Sequence, residues 1–318
     1  MKKAIITGVL GQDGSILAEK LNLIGYEIYG IIRKESSIEK IQWIKSLIPD
    51  IKISFENLTN KDDVLSLISR VNPDEIYNFA GYTNIFNPWE NLDLVYQLNC
   101  KIPQNILESI VLVNNKIKFF QASSCLVFGR TYLNSQNEDT PSSPIHPYGI
   151  TKLYADNLVK EFRIKYKIFA CSGIFFNHES ERRGENFLTK KVTMSISNIV
   201  NLKQKKLTVG DIDVYKDMGC AYEFMDAVFL MMQKETPEDY VIGTGTLSYM
   251  SDFVKECFIT ANLNMDDCIE LDKSLFREKN NNILVADIKK IKKDLNWSPK
   301  LSIIDIAKKM MNYELNKK

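Results

Sequence analysis

Tyr148 and Lys152 stand four residues apart in PYGITKLYADNL, and an upstream apolar run, FFQASSCLVFG, ends in Ser123 and Ser124 before Cys125 and Leu126. Four residues is just over one helical turn, so the phenol and the ammonium project from one helix face. An ammonium beside a phenol stabilises the phenolate, which makes the tyrosine a usable base for an alcohol proton. A hydroxyl delivered by the strand end, Ser124, can hydrogen-bond the same alcohol, while Ser123 is read as satisfying backbone groups at the strand terminus. Such a set takes the proton from a secondary alcohol as hydride leaves the same carbon. It therefore needs a hydride acceptor.

The start of the chain offers a place for one. TGVLGQDGS carries Gly8, Gly11 and Gly14 at a GxxGxxG spacing, with Gln12 and Asp13 between them, directly after a strand pattern and before a helical one. Glycines there let the backbone turn sharply and approach a pyrophosphate, and the helix N-terminus supplies N–H donors. The pattern predicts NAD(P) binding. Further expected contacts are Asn57 and Leu58 after the third strand, Phe79, Ala80 and Gly81 after the fourth, and Asn99 within a helix; Asn57 and Asn99 also read as plain turn or helix-surface amides. The second strand ends GIIRKESS, where Arg33 and Lys34 favour a 2′-phosphate and Glu35 repels it. Arg33 can stack on adenine in either case, and the balance favours NAD over NADP.

The positioning elements follow from periodicity. Short apolar runs at 3–7, 27–32, 51–55, 75–79, 118–122 and 168–175 alternate with helix-period segments at 15–24, 38–46, 61–70, 94–114 and 148–165. This is the pattern of an α/β Rossmann-type, doubly wound parallel sheet. After residue 176 a polar loop, NHESERRGENF, leads to a helix over 188–202, and no regular strand–helix alternation continues. Helices are expected at 220–233, 250–260 and 304–313, and a strand at 239–245. The predicted organisation is an NAD(P)-binding domain over 1–176, rejoined by 220–246, and a smaller substrate domain from 177–219 and 247–318.

Composition narrows the chemistry. In 318 residues, 41 Lys and Arg face 40 Asp and Glu, interspersed, which gives no footprint for nucleic acid or an anionic membrane. The six cysteines (Cys100, Cys125, Cys171, Cys220, Cys257 and Cys268) form no CxxC pair and mostly sit in apolar contexts, as reduced thiols in a cytoplasmic protein would. With two histidines, His146 and His178, no metal site is expected. The MKKAIITG start reads as a first strand, and no apolar stretch approaches the roughly 20 residues that span a bilayer.

TGVLGQDGSILAEKL, GIIRKESS, YGITKLYADNL, GIFFNHESERRGENFLTKKV and DYVIGTG together resemble the corresponding segments of GDP-mannose 4,6-dehydratases, members of the extended short-chain dehydrogenase/reductase superfamily. The resemblance covers nearly the whole chain and is most specific in NHESERRGENF. It implies a GDP-sugar substrate, surface-polysaccharide sugar biosynthesis (capsule or lipopolysaccharide), a homodimer or homotetramer, and a downstream epimerase or reductase. It places Asn177, Arg183, Glu185, Lys191, Lys216 and Arg277 at the nucleotide and diphosphate, though Lys191 equally fits a solvated helix face. Cations suit a diphosphate because the guanidinium fork matches its oxygens.

The chain also departs from the family pattern. Ser-Thr-Ser-Glu in the dehydratases corresponds to Ser123-Ser124-Cys125-Leu126, Gln-Ser-His to Tyr82-Thr83-Asn84, and Arg-Asp-Trp-Gly to Lys216-Asp217-Met218-Gly219. The family glutamate removes the C5 proton and assists loss of the C6 hydroxyl; leucine has no titratable group. The expected activity is therefore NAD-dependent oxidation of C4 in a GDP-sugar of the GDP-mannose or GDP-manno-heptose type, without dehydration. The alternatives are a 4,6-dehydratase with Glu179, Glu181 or a water in the missing role, a non-catalytic nucleotide-sugar-binding homologue, or an epimerase or reductase running the oxidation backwards. Tyr82 and Thr83 are expected in an altered sugar pocket.

Overall fold

The computed structural model describes residues 1–83, 89–276 and 283–317. Its first half alternates strands β1 (Lys3–Thr7), β2 (Glu27–Ile32), β3 (Lys52–Phe55), β4 (Glu75–Asn78), β5 (Lys118–Ala122) and β6 (Ala170–Phe175) with helices α1 (Gln12–Leu23), α2 (Ile38–Leu47), α3 (Lys61–Val71), α4 (Leu92–Tyr96), α5 (Ile102–Val113) and α6 (Pro147–Tyr166). The second half holds β7 (Asn177–Glu179), α7 (Leu188–Val200), β8 (Leu207–Val209), β9 (Tyr215–Cys220), α8 (Ala221–Gln233), β10 (Tyr240–Ile242), β11 (Leu247–Tyr249), α9 (Met250–Thr260), α10 (Met265–Cys268), β12 (Ile269–Leu271), α11 (Lys289–Leu295) and α12 (Ile303–Asn316).

Seven strands form one parallel sheet in the order β3-β2-β1-β4-β5-β6-β10, a Rossmann-type arrangement. Successive side chains of a strand point to opposite faces, so a strand covered on both sides reads as a continuous apolar run. KAIIT is such a run. Ile5 joins Ile31, Ile76 and Phe119 in a core closed by α3 and α5, whereas Ile6 joins Tyr77 and Phe120 in a core closed by α1 and α8. A third core, with Val192, Phe253, Val254, Ile306 and Met310, joins α7, α9 and α12.

Several local expectations are corrected. α1 begins at Gln12 rather than residue 15, because extended Gly11 already caps it. The span 94–114 is interrupted by a π-helical turn over Gln97–Lys101, whose wider hydrogen bonding turns Asn99 inward. In 239–245 only Tyr240–Ile242 is strand; Thr244 and Gly245 instead donate to the buried Asp217 carboxylate. The region beyond 176 carries small sheets that periodicity does not reveal, β11-β9-β7 and β12-β8, built mostly from three-residue strands. Three residues are too few to show a period of two.

Candidate active site

β1 lies between β2 and β4, so the connections from β1 and β4 leave in opposite directions and open a crevice at their C-terminal ends. Thr7 fixes that edge: its hydroxyl donates to Asn78 Oδ1 at 2.6 Å and accepts from Ala80 N at 3.0 Å. The glycine loop sits on it. Gly8 has φ +68°, and a Cβ there would lie 3.1 Å from Ala80 N. A Cβ on Gly14 would lie 2.5 Å from Gly8 O and 2.9 Å from Val9 Cα, so helix and strand close together only without a side chain. Gly11 gives α1 no side-chain cap, which leaves its first N–H groups for an anion. This cradle, tight where side chains are missing and rich in free N–H donors, fits a dinucleotide pyrophosphate.

α6 enters the same crevice. His146 caps it through Nδ1, which accepts from Gly149 N at 3.2 Å, and Pro147 occupies the first turn, where its lacking N–H costs nothing. Gly149 is confined by Leu126 O, 2.6 Å from where its Cβ would stand, which seats the helix start against the end of β5. The Lys152 ammonium donates to Ala122 O at 2.8 Å and lies 5.6 Å from the Tyr148 ring centroid. Burial raises the Tyr148 phenol to about 12, against a lowering by the Ser124 hydrogen bond and the Arg183 charge. Burial brings Lys152 down to about 8, against the raising charges of Asp156 and Asp13. Tyr148, Lys152 and Ser124 thus converge on one point at the crevice.

The same face of α6 carries a third group one turn further on. Asp156 accepts from the Ser123 hydroxyl, so Ser123 serves a carboxylate rather than the backbone groups expected of it. Burial pushes the Asp156 carboxyl up to about 7, the Ser123 hydrogen bond opposing, and its Oδ1 is buried without a partner. Asn99, from the π turn, ties the β4 loop to α6: Oδ1 accepts from Tyr82 N at 2.7 Å and Nδ2 donates to Thr151 Oγ1 at 3.1 Å. The loop passes so close to Lys152 that a Cβ on Gly81 would lie 3.7 Å from Nζ. Phe79 and Ala80 complete this turn and are partly buried against the sheet cores.

The polar loop after β6 closes the crevice from the other side. Asn177 donates to Asp217 O at 3.2 Å. His178 reaches Asp13, and Ser180 donates to Gln12 Oε1 at 2.9 Å. Arg183 lies over the Phe187 ring at 3.7 Å with its Nε 3.3 Å from Glu179, yet that buried Nε makes no hydrogen bond. Arg182 pairs with Glu19 and lies over both the Trp43 and Tyr222 rings. Leu126, in the 3₁₀ turn Cys125–Val127, is partly buried against the core.

Other sequence-nominated residues lie further out. Arg33, Glu185, Lys191 and Thr83 are exposed. Asn57 is exposed and spends its Oδ1 on Thr59 N and Oγ1, as a turn amide does, while Leu58 is core. Lys216 sits on β9 near enough to Cys125 for its charge to be felt there. Arg277 and Asn84 lie outside the described residues. Sequence reasoning passed over Gln12–Ser180, Asp13–His178, Asp156 and Arg182. The period of α6 alone could have found Asp156, eight residues after Tyr148. No helix among the described residues is long and apolar enough to cross a membrane.

Comparison with known proteins agrees with this arrangement. A solved dTDP-glucose 4,6-dehydratase from Bacillus anthracis, in complex with NAD, superposes with TM-score 0.84 at 19% identity over 100% of this chain and 98% of that one. RMD from Pseudomonas aeruginosa, complexed with NADPH, gives 0.82 at 17% identity over 100% of both chains. At such identities the likeness speaks for the fold. The GDP-mannose 4,6 dehydratase of Drosophila melanogaster is 32% identical over 341 residues, covering 99% of this chain and 86% of the relative. The family model for GDP-mannose 4,6 dehydratase matches residues 5–310, and the chain belongs to that family.

Proposed function

We propose that this protein oxidises the C4 hydroxyl of a GDP-sugar, of GDP-mannose or GDP-manno-heptose type, to the 4-keto sugar with NAD as hydride acceptor and without eliminating water. When bound at the glycine loop, the dinucleotide supplies the carbon that receives hydride. Tyr148 takes the hydroxyl proton, Ser124 holds the same oxygen, and Lys152, its ammonium 5.6 Å from the Tyr148 ring centroid, supplies positive charge beside a phenol that burial raises to about 12. Residues 1–176 with 220–246 hold the dinucleotide, and 177–219 with 247–318 hold the nucleotide sugar. In this reading Arg183, with a buried N–H lacking an acceptor, meets the substrate side of the crevice.

The observation that carries the reading is Leu126. The 3₁₀ turn Cys125–Val127 beside Ser124 presents an apolar side chain partly buried against the core and no carboxylate. Losing a positioned acid/base costs on the order of a hundredfold to ten-thousandfold. A second reading, a 4,6-dehydratase, is favoured by the family itself. Its acid/base would have to come from elsewhere, and the two loop carboxylates the sequence offers are engaged: Glu179 by Thr189 at 2.5 Å and Arg183, Glu181 by Tyr222 and Arg182.

Incubation with GDP-mannose and with a GDP-heptose, following nicotinamide absorbance and product mass, separates the two. Loss of two hydrogens with a stoichiometric rise in reduced cofactor supports oxidation alone. A product lighter by one water, without net reduction, overturns it in favour of the dehydratase.

A further inference from the structure

Asp13 is the second residue of α1, on the turn whose N–H groups face the pyrophosphate position. A carboxylate in that turn opposes the binding of an anion. Yet Asp13 is held ionised: burial disfavours the charge, but His178, Gln12 and Arg183 overcome it and bring the carboxyl down to about 2. Its partner comes from 165 positions away. His178 Nε2 lies 3.0 Å from Asp13 Oδ1 and Nδ1 lies 2.8 Å from Phe176 O. Both partners only accept hydrogen bonds, so both ring nitrogens carry hydrogen and the ring is an imidazolium. It is buried between Phe175 and Phe224, with ring centroids 5.0 and 4.9 Å away. A lone cation there would be very costly, and pairing with Asp13 offsets much of that cost.

We propose that His178 acts as a positioning residue that cancels the Asp13 charge, so that the carboxylate fastening the Asn177–Ser180 loop to α1 does not repel the dinucleotide. This rests on the dinucleotide reading above. The other charges facing the pair are Arg183 on the same loop and Lys152 on α6, with the Tyr148 phenol beside them. Arg183 works against the imidazolium, as a like charge must, so the balance at α1 depends on Asp13 and His178 matching each other.

The test is direct titration of the full-length protein with reduced nicotinamide dinucleotide, read by fluorescence, with thermal melting as a check on folding. His178→Gln strands the carboxylate and should weaken binding by about tenfold or more. Asp13→Asn removes the charge that His178 cancels, so whatever it costs the loop's own contacts, its loss of affinity should be smaller than that of His178→Gln. The double variant Asp13→Asn/His178→Gln should bind more tightly than His178→Gln alone. A hydrogen-bonding role alone predicts equal loss in both single variants and no recovery in the double, and that pattern overturns the proposal. So does unchanged affinity in His178→Gln. If wild type binds no dinucleotide, the cofactor reading fails and takes this inference with it; the other failures leave that reading standing.

Discussion

Gly14→Ala isolates the dinucleotide loop from the rest of the fold. The new methyl would stand 2.5 Å from Gly8 O, against the 3.4 Å at which ordinary contact begins, so helix and turn must separate by about 0.9 Å. All three nearest atoms are backbone, in Gly8 and Val9, and cannot swing aside. Overpacking of this kind costs about 1–3 kcal/mol, and alanine returns about 1 kcal/mol as the better helix former. The net loss of stability is small, roughly 0–2 kcal/mol, and the protein should fold. Binding is a different matter, because a displacement near 1 Å at a positioned group costs on the order of a hundredfold. Gly25→Ala is the matched control: φ is +86° with no atom within 4 Å of the added carbon, so it carries backbone strain of about 1–2 kcal/mol away from the crevice. Melting temperature and affinity for reduced dinucleotide should therefore separate, with Gly25→Ala losing stability alone and Gly14→Ala losing affinity. Gly14→Ala binding within threefold of wild type would refute the assignment of this loop.

Tyr148→Phe should lower turnover by about a hundredfold or more with folding unchanged, since it removes only the phenol oxygen to which the proposed mechanism gives the proton; full turnover in a steady-state assay would discard that role. Asp156 has a folded carboxyl near 7 against 3.8 when free, so the folded state binds the extra proton and stability falls as pH rises between those values. Asp156→Asn should raise the melting temperature at pH 8 relative to wild type and leave it nearly unchanged at pH 3. Lys190 and Glu314 form a buried pair anchoring α12, with side chains 7% and 6% exposed. Lys190→Met leaves a buried carboxylate unpaired and should cost about 3–5 kcal/mol in denaturant unfolding, whereas Lys190→Met/Glu314→Leu should recover most of that. In a steady-state pH profile, turnover in the oxidation direction should fall past about 8 as Lys152 loses its proton and with it the positive charge beside the Tyr148 phenol.

The sequence by itself determined the doubly wound half of the protein, because a strand buried on both faces and an amphipathic helix announce themselves within a few residues. KAIIT, EIYGII and KFFQA coincide with β1, β2 and β5. The Tyr148–Lys152 spacing and the three glycines were legible for the same reason, since their geometry is set by one helical turn or one tight turn. What the tertiary structure decided are the meetings between distant residues: His178 on Asp13, Ser123 with Asp156 across 33 positions, Asp217 holding Thr244, Gly245 and Ala286, and Asn99 turned inward by a π turn. Local periodicity cannot carry that information. Each such contact costs loop-closure entropy and forms only because the sheet brings its strand ends together at one crevice, where a buried polar group must find a partner or go without.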